Sequence, residues 1–85
     1  MNKKILRFTA DWCNPCKQVR PIAEELNRDG IIPIQFIDAD QEIELVKNFE
    51  IRSIPTFILI EDGKEVNRIT GAQTREQLEN FINGK

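Results

Sequence analysis

Two cysteines three positions apart are the side chains best suited to chemistry in this sequence, and they lie in the run Cys13-Asn14-Pro15-Cys16. The residues before them read as a strand and those after them as a helix. The first turn of a helix offers free N–H groups and the positive end of its dipole, which together stabilise an anion. We therefore expect the pKa of Cys13 to lie below the usual thiol value of about 8.5. Cys16 comes back within reach of Cys13, so the pair can form a disulfide.

The redox interpretation competes with plainer ones: two structural thiols, a stabilising disulfide or part of a zinc site. A purely structural disulfide is uncommon in the cytoplasm. A zinc site would need two further ligands of the usual kind, which a chain with two cysteines and no histidine does not have. Pro15 is also placed well for a helix start, because a missing N–H costs nothing near the first helical position. A Cys-x-x-Cys run between a strand and a helix therefore favours redox chemistry.

Histidine and tyrosine are both absent from the chain. Without imidazole there is no Ser-His-Asp or Cys-His nucleophile pair and no His-Glu-x-x-His zinc protease. Proton transfer is then left to carboxylates, lysine or thiols.

The formal net charge is −2 and the basic residues are scattered, so the sequence shows no surface suited to nucleic acid. No apolar run approaches the ~20 residues that cross a bilayer. Arg7 interrupts the apolar stretch near the start, and no small-residue cleavage site follows it, so a secretory signal is not expected. We predict a cytoplasmic monomer that binds neither nucleic acid nor membranes.

The spacing of the apolar residues predicts four strands and three helices in the order β-α-β-α-β-β-α. The strands are predicted at residues 4–9, 31–37, 56–60 and 65–70, and the helices at 14–28, 42–49 and from 74 to the glycine at 84. The first strand, helix and second strand form a βαβ unit, whose strands are parallel. The run 31–37 is almost continuously apolar, which predicts a strand covered on both faces. The chain is thus predicted to be a single α/β domain over residues 1–85.

Local signals mark where these elements bend and end. Gly30 is expected to end the first helix in the left-handed conformation, and Pro21 is expected to kink that helix. Asp62-Gly63 predicts a hairpin turn. Thr74 predicts a capping box at the start of the last helix.

Several separate motifs together closely resemble those of thioredoxins. They are Ala10-Asp11-Trp12-Cys13-Asn14-Pro15-Cys16-Lys17, then Pro21, then Ile51-Arg52-Ser53-Ile54-Pro55-Thr56, and then Gly71-Ala72. The resemblance runs over nearly the whole chain, but the leading strand and helix usual in the family are missing. It implies a short thioredoxin-like fold, with a four-stranded mixed sheet and three flanking helices.

The resemblance also implies a role for particular residues. Cys13 matches the attacking thiol, Cys16 the resolving thiol, and Pro55 a cis-proline that faces the disulfide. Asn14 and Pro15 lie between the cysteines and support them. The residues implied to contact a substrate chain are Trp12, Ile54, Pro55, Thr56, Gly71 and Ala72.

The implied activity is the reduction of protein disulfides by the Cys13/Cys16 dithiol, without a metal or a bound organic cofactor. A thioredoxin reductase or another dithiol would restore the reduced form. Two alternatives remain open. A glutathione-dependent, glutaredoxin-like reductase would suit the small size, although Trp12 and Asn14-Pro15 differ from the Pro-Tyr common in glutaredoxins. A non-catalytic binding module would use the fold without its thiols.

The sequence departs from the family at three positions. Asn14 stands where a glycine is common, which bears on redox poise but is not expected to abolish the reaction. Arg7 stands where the family usually buries an aspartate behind the resolving thiol, and Phe36 where a lysine is common. Arg7 is expected either to pair with Asp38, which shares a sheet face with Phe36, or to extend its charged end to water along its apolar stem. We assign Arg7 a supporting role at Cys16.

Overall fold

The computed structural model describes residues 2–84, and its elements follow the predicted order. They are β1 (Lys3–Thr9), α1 (Asn14–Arg28), β2 (Ile34–Asp38), α2 (Ile43–Asn48), β3 (Thr56–Glu61), β4 (Lys64–Thr70) and α3 (Arg75–Ile82). The sheet has the strand order β2-β1-β3-β4. β1 is parallel to β2 and antiparallel to β3, and β3 is antiparallel to β4, so the predicted four-stranded mixed sheet is confirmed.

The central strand β1 joins the two halves of the core, because its successive side chains point to opposite faces of the sheet. Ile5 is fully buried in a cluster with apolar residues of α1, β3 and α3. Leu6 and Phe8 belong to a second cluster on the other face, against which residues of α2 pack. Both faces of β1 are therefore covered, and the strand is held from both sides.

The first helix ends as predicted. Gly30 adopts a left-handed φ of +73°. Its N–H donates to Asn27 O at 3.2 Å, and the N–H of Ile31 donates to Leu26 O at 3.1 Å. These two hydrogen bonds form a Schellman motif, which satisfies carbonyl groups that the helix end would otherwise leave free.

The prediction that both faces of the second strand are covered is wrong. β2 is an edge strand and begins at Ile34. Ile37 is buried on the α2 side, whereas the Phe36 side chain on the opposite face is 57% exposed. An edge strand has a neighbour on one side only, so the elements that pack on the sheet leave part of its outer surface open.

The turn signals near the C-terminus are confirmed. Asp62 and Gly63 have φ values of +52° and +85°, as a two-residue hairpin of type I′ requires. Thr74 caps α3: its hydroxyl oxygen accepts from Gln77 N at 3.1 Å, and Gln77 Oε1 accepts from Thr74 N at 2.9 Å. Within residues 2–84, none of the helices combines the length and apolar character needed to cross a membrane.

The core predicts a large difference between buried and exposed isoleucines. Ile5→Ala removes a fully buried side chain and is expected to lower the free energy of unfolding by about 2–5 kcal/mol. Ile43→Ala makes the same change at an exposed position of α2 and is expected to cost less than about 1 kcal/mol. Denaturant unfolding of the two variants measures both values, and equal losses would contradict the assigned core.

Candidate active site

The two cysteines lie at the start of α1, directly after the central strand. β1 ends at Thr9, and the chain turns so that Cys13 N donates to Ala10 O at 3.2 Å. Cys13 is the N-cap residue of α1, and Pro15 lies in the first helical turn. The sequence thus folds here as predicted, with the dithiol motif at the junction of strand and helix.

The sulfur of Cys13 caps the helix. Cys13 and Cys16 form a disulfide with a Cα–Cα distance of 5.2 Å. The backbone N–H of Cys16 donates to Cys13 Sγ at 3.2 Å. A serine or threonine oxygen usually accepts this kind of hydrogen bond. After reduction, the same N–H and the helix dipole would stabilise a thiolate on Cys13.

Both cysteines are covered in the disulfide form. Cys16 is 2% exposed and Cys13 is 4% exposed. Its neighbours Trp12, Asn14 and Pro15 are exposed. A difference in reactivity between the two thiols would therefore come from the helix-capping position of Cys13 and not from a difference in exposure.

The segment before β3 faces the disulfide. The Ile54-Pro55 peptide bond is cis, which confirms the geometry implied by the resemblance. Ile54 packs against Ala10 and both cysteines, and its carbonyl oxygen lies 3.8 Å from Cys13 Sγ. Pro55 itself is buried beneath this surface.

The remaining residues implied to contact substrate lie at different depths. Gly71 N donates to Pro55 O at 2.8 Å, which fixes the Gly71-Ala72 turn beside the cis-proline. Gly71 has a φ of +91°, so a side chain here would be strained. Thr56 is buried and its hydroxyl donates to Ser53 O at 2.7 Å. Gly71 and Ala72 thus reach the surface, whereas the Thr56 side chain lies below it.

Asp40 belongs to the site, although no motif in the sequence indicated it. The indole N–H of Trp12 donates to Asp40 Oδ2 at 2.9 Å, although the indole is 66% exposed. Asp40 N in turn donates to Asp38 Oδ1 at 2.9 Å. The sequence contained a signal for the location of Asp40, because the predicted βαβ unit makes β1 and β2 parallel and the loops that follow parallel strands lie at the same end of a sheet. It contained no signal for the hydrogen bond with Trp12.

Arg7 is buried, and one of the two expectations stated for it, the ion pair with Asp38, fails. The residue as a whole is 5% exposed, and its guanidinium carbon lies 5.3 Å from the Phe36 ring centroid. It does not pair with Asp38, and within residues 2–84 its Nε has no hydrogen-bond partner. Burial lowers the pKa of the Arg7 guanidinium, and the charge of Glu24 opposes this effect. The predicted pair fails because Phe36, the neighbour of Arg7 on β2, takes the place beside the guanidinium.

Arg7 and Cys16 share one cavity. The cavity has a volume of about 450 Å³ and lies between α1 and the edge of the sheet at β2. Arg7 lines the cavity from β1, and Cys16 lines it from the first turn of α1. Cys16 therefore lies beside a cavity that is also lined by a buried cation, the Arg7 guanidinium.

This arrangement suits thiol–disulfide exchange. After reduction, the helix-capping sulfur of Cys13 would be the nucleophile, and the sulfur of Cys16 lies close enough to form a disulfide with it. A thiolate attacks a disulfide sulfur to give a mixed disulfide, which a neighbouring thiol can resolve.

Comparison with known proteins identifies the same chemistry. The family model described as Thioredoxin matches residues 1–84. A thioredoxin of Staphylococcus haemolyticus is 40% identical over 77 residues, which cover 88% of this chain and 74% of that protein. A thioredoxin of Mycobacterium tuberculosis is 42% identical over 80 residues, which cover 91% of this chain and 69% of that protein.

Solved structures agree with the sequence relatives. A mutant thioredoxin of Halobacterium salinarum superposes with a TM-score of 0.91 at 30% identity, covering 98% of this chain and 74% of the other. A thioredoxin of Fasciola hepatica gives a TM-score of 0.90 at 32% identity, with coverages of 98% and 80%.

The capping geometry predicts unequal reactivity of the two thiols in the reduced protein. Cys13 is expected to react with iodoacetamide near neutral pH at least tenfold faster than Cys16, a barrier difference of about 1.4 kcal/mol. Alkylation rates of the Cys13→Ser and Cys16→Ser variants, followed by mass spectrometry, measure each thiol alone. Equal rates would contradict the assignment of Cys13 as the nucleophile.

Proposed function

Because this chain belongs to the thioredoxin family, we propose that Cys13 is the attacking thiol and Cys16 the resolving thiol of its dithiol–disulfide oxidoreductase reaction. The chain is a protein-disulfide oxidoreductase, as its relatives and its redox cysteine pair show. The single observation that supports this assignment of roles is the helix-capping contact between Cys16 N and Cys13 Sγ. Both cysteines lie at the start of α1, but in this contact only the Cys13 sulfur accepts a hydrogen bond from a backbone N–H of the first turn.

The reaction follows from this geometry. The Cys13 thiolate attacks one sulfur of a substrate disulfide, a mixed disulfide forms through Cys13, and the other substrate sulfur leaves as a thiolate. Cys16 then loses its proton and attacks Cys13 Sγ. The second substrate thiolate is released, and Cys13–Cys16 is left as the disulfide that the structure contains. The substrate gains two electrons and the dithiol loses two.

We propose that the substrate chain docks on the surface around the disulfide. Trp12 precedes Cys13 in the chain, Ile54 packs against Cys13, and the hydrogen bond from Trp12 to Asp40 holds the exposed indole in place. Gly71 N donates to Pro55 O, which holds the Gly71-Ala72 turn beside the cis-proline. An exposed aromatic side chain beside a reactive sulfur is suited to contact a partner chain. Asn14 and Pro15 support the motif by forming the first turn of α1.

We also propose that a thioredoxin reductase or another dithiol returns the disulfide to the reduced state. Insulin-disulfide reduction, with each reductant in turn, tests this. The protein is expected to turn over with a thioredoxin reductase and NADPH, and at least tenfold more slowly with glutathione and glutathione reductase. The opposite preference would favour the glutaredoxin-like alternative.

The trapping of substrate distinguishes the two cysteines in the same assay. Cys16→Ser removes the resolving thiol and is expected to accumulate mixed disulfides with insulin chains, which non-reducing electrophoresis detects. Cys13→Ser is expected to accumulate none. No reduction of insulin by the parent protein, together with substrate binding retained in a variant that lacks both thiols, would instead support the binding-module alternative.

We propose that Arg7 assists the resolving step through Cys16. Burial disfavours a thiolate on Cys16, because the charged form loses its hydration. A cation in the same cavity favours the thiolate by its charge. The charged residues that line the cavity are Arg7, Asp11, Lys17, Arg20 and Glu24. Among them Arg7 is the buried one and Arg20 is paired with Glu24 at 2.9 Å.

This role makes a prediction about pH. Arg7→Met keeps most of the apolar stem, removes the charge and is expected to raise the pKa of Cys16, because a nearby cation favours the thiolate. The rate of mixed-disulfide resolution would then reach its plateau at correspondingly higher pH. The ultraviolet absorbance of the Cys16 thiolate in a Cys13→Ser background measures the pKa directly.

Two control variants separate charge from packing. Arg7→Lys restores a cation and is expected to bring the titration curve back toward that of the parent. Arg28→Met removes an exposed arginine of α1, the helix that carries Cys16. Arg28 does not line the cavity, so this change is expected to leave the titration curve of Cys16 unchanged. An unchanged curve in Arg7→Met would disprove the role of Arg7.

We propose, finally, that the protein acts in the cytoplasm as a monomer consisting of a single domain. A dithiol that is regenerated by a reductase suits a compartment where thiols are kept reduced. The proposed chemistry needs no metal and no bound organic cofactor, because the two cysteine sulfurs exchange the electrons directly.

A further inference from the structure

The cavity between α1 and the edge of the sheet carries a net positive charge. Its volume is about 450 Å³, within the range of small-molecule sites. Three cations and two carboxylates line it: Arg7, Lys17, Arg20, Asp11 and Glu24. One positive charge therefore remains after the opposite charges in the lining are matched.

That excess is centred on Arg7. The residue is 5% exposed, and its Nε is shielded without a hydrogen-bond partner. Within residues 2–84 no carboxylate oxygen lies within 4.0 Å of the guanidinium nitrogens. Glu24, whose charge acts on Arg7, is already bound to Arg20 at 2.9 Å. Because an unpaired buried charge is costly, an anion that enters the cavity gains from it.

The chemistry of the lining favours one class of anion. A guanidinium presents its N–H groups in a planar fork that matches the two oxygens of a carboxylate. One negative charge balances the lining, whereas a doubly charged phosphate would exceed it. Ala23, Ile34 and Phe36 add apolar surface to the same cavity.

We propose that this cavity binds a carboxylate that carries a short apolar group, with Arg7 as the cation that anchors it. The ligand would lie beside Cys16, on the wall formed by α1. The site is present in the disulfide form, so the proposal is tested without turnover and does not depend on the role of Arg7 in the ionisation of Cys16.

Benzoate and its neutral analogue benzamide test the proposal on the unaltered, oxidised protein. Backbone amide chemical shifts are followed by NMR during titration at low ionic strength, since salt screens the attraction. Benzoate is expected to change the amide chemical shifts of the residues that line the cavity, with a dissociation constant of about 1–10 mM. Benzamide is expected to bind at least tenfold more weakly. Equal binding of the two, or shifts located elsewhere, would overturn the proposal without recourse to any variant.

Arginine variants identify the anchoring residue. Arg7→Met is expected to weaken benzoate binding at least tenfold, and Arg28→Met less than twofold. If Arg7→Met does not fold, Arg7→Lys serves in its place, because lysine keeps the charge but loses the planar fork, with an expected weakening of at least threefold. Benzoate binding within twofold of the parent in a folded Arg7 variant would overturn the assignment.

A free small acid and the C-terminal carboxylate of a polypeptide present the same chemistry. A peptide Gly-Gly-Phe with a free carboxylate, compared with its C-terminal amide, distinguishes the two sources. Binding of the free acid at least tenfold more tightly than benzoate would identify a polypeptide terminus. Binding no tighter than benzoate would identify a small acid. Equal binding of peptide acid and amide would contradict a carboxylate site for polypeptides.

Discussion

The N-terminus of α1 has to be capped, and in this protein the capping atom is the sulfur of Cys13. The first N–H groups of any helix have no partner within the helix. Pro15 removes one of these donors, and Cys16 N donates to Cys13 Sγ. The same contact that completes the helix also places the sulfur where the helix dipole favours negative charge. Helix stability and thiol reactivity thus depend on one atom.

The topology of the sheet brings the other residues of the site close to the Cys13 sulfur. β1 and β2 are parallel, so their C-terminal ends lie at the same end of the sheet. β3 runs antiparallel to β1 and begins at this end, and β4 runs antiparallel to β3 and ends there. The cysteine motif, Asp40, the cis-proline and Gly71 are therefore neighbours, although they are far apart along the chain.

The cavity beside Cys16 is lined by a buried positive charge, the guanidinium of Arg7. Arg7 lies on the central strand under α1, where an apolar residue or a paired ion would cost less. The Phe36 ring contacts the guanidinium from the neighbouring edge strand, an arrangement that recovers part of the cost of burial. The edge position of β2 makes this contact possible, because it leaves the Phe36 side of the strand open enough for both side chains and a cavity.

The sequence by itself determined the order of the elements and the reacting atoms, because these follow from local rules. Apolar periodicity, the glycine at position 30, the Asp62-Gly63 turn and the Thr74 cap act over a few residues, and the structure confirms them. The cysteine motif is equally local. The cis peptide at Pro55 was implied by the resemblance alone, since an X-Pro bond is usually trans.

Only the tertiary structure decided which strand lies at the edge, what surrounds Arg7, and that Asp40 holds Trp12. The run at 31–37 is apolar enough for a central strand, yet its place in the sheet depends on pairing with β1 and on no residue within the run. Arg7 and Phe36 are 29 positions apart, and their contact exists because the parallel register of β1 and β2 sets them side by side. The physical reason is common to all three cases: periodicity specifies the face on which a side chain lies, whereas strand pairing specifies its neighbours.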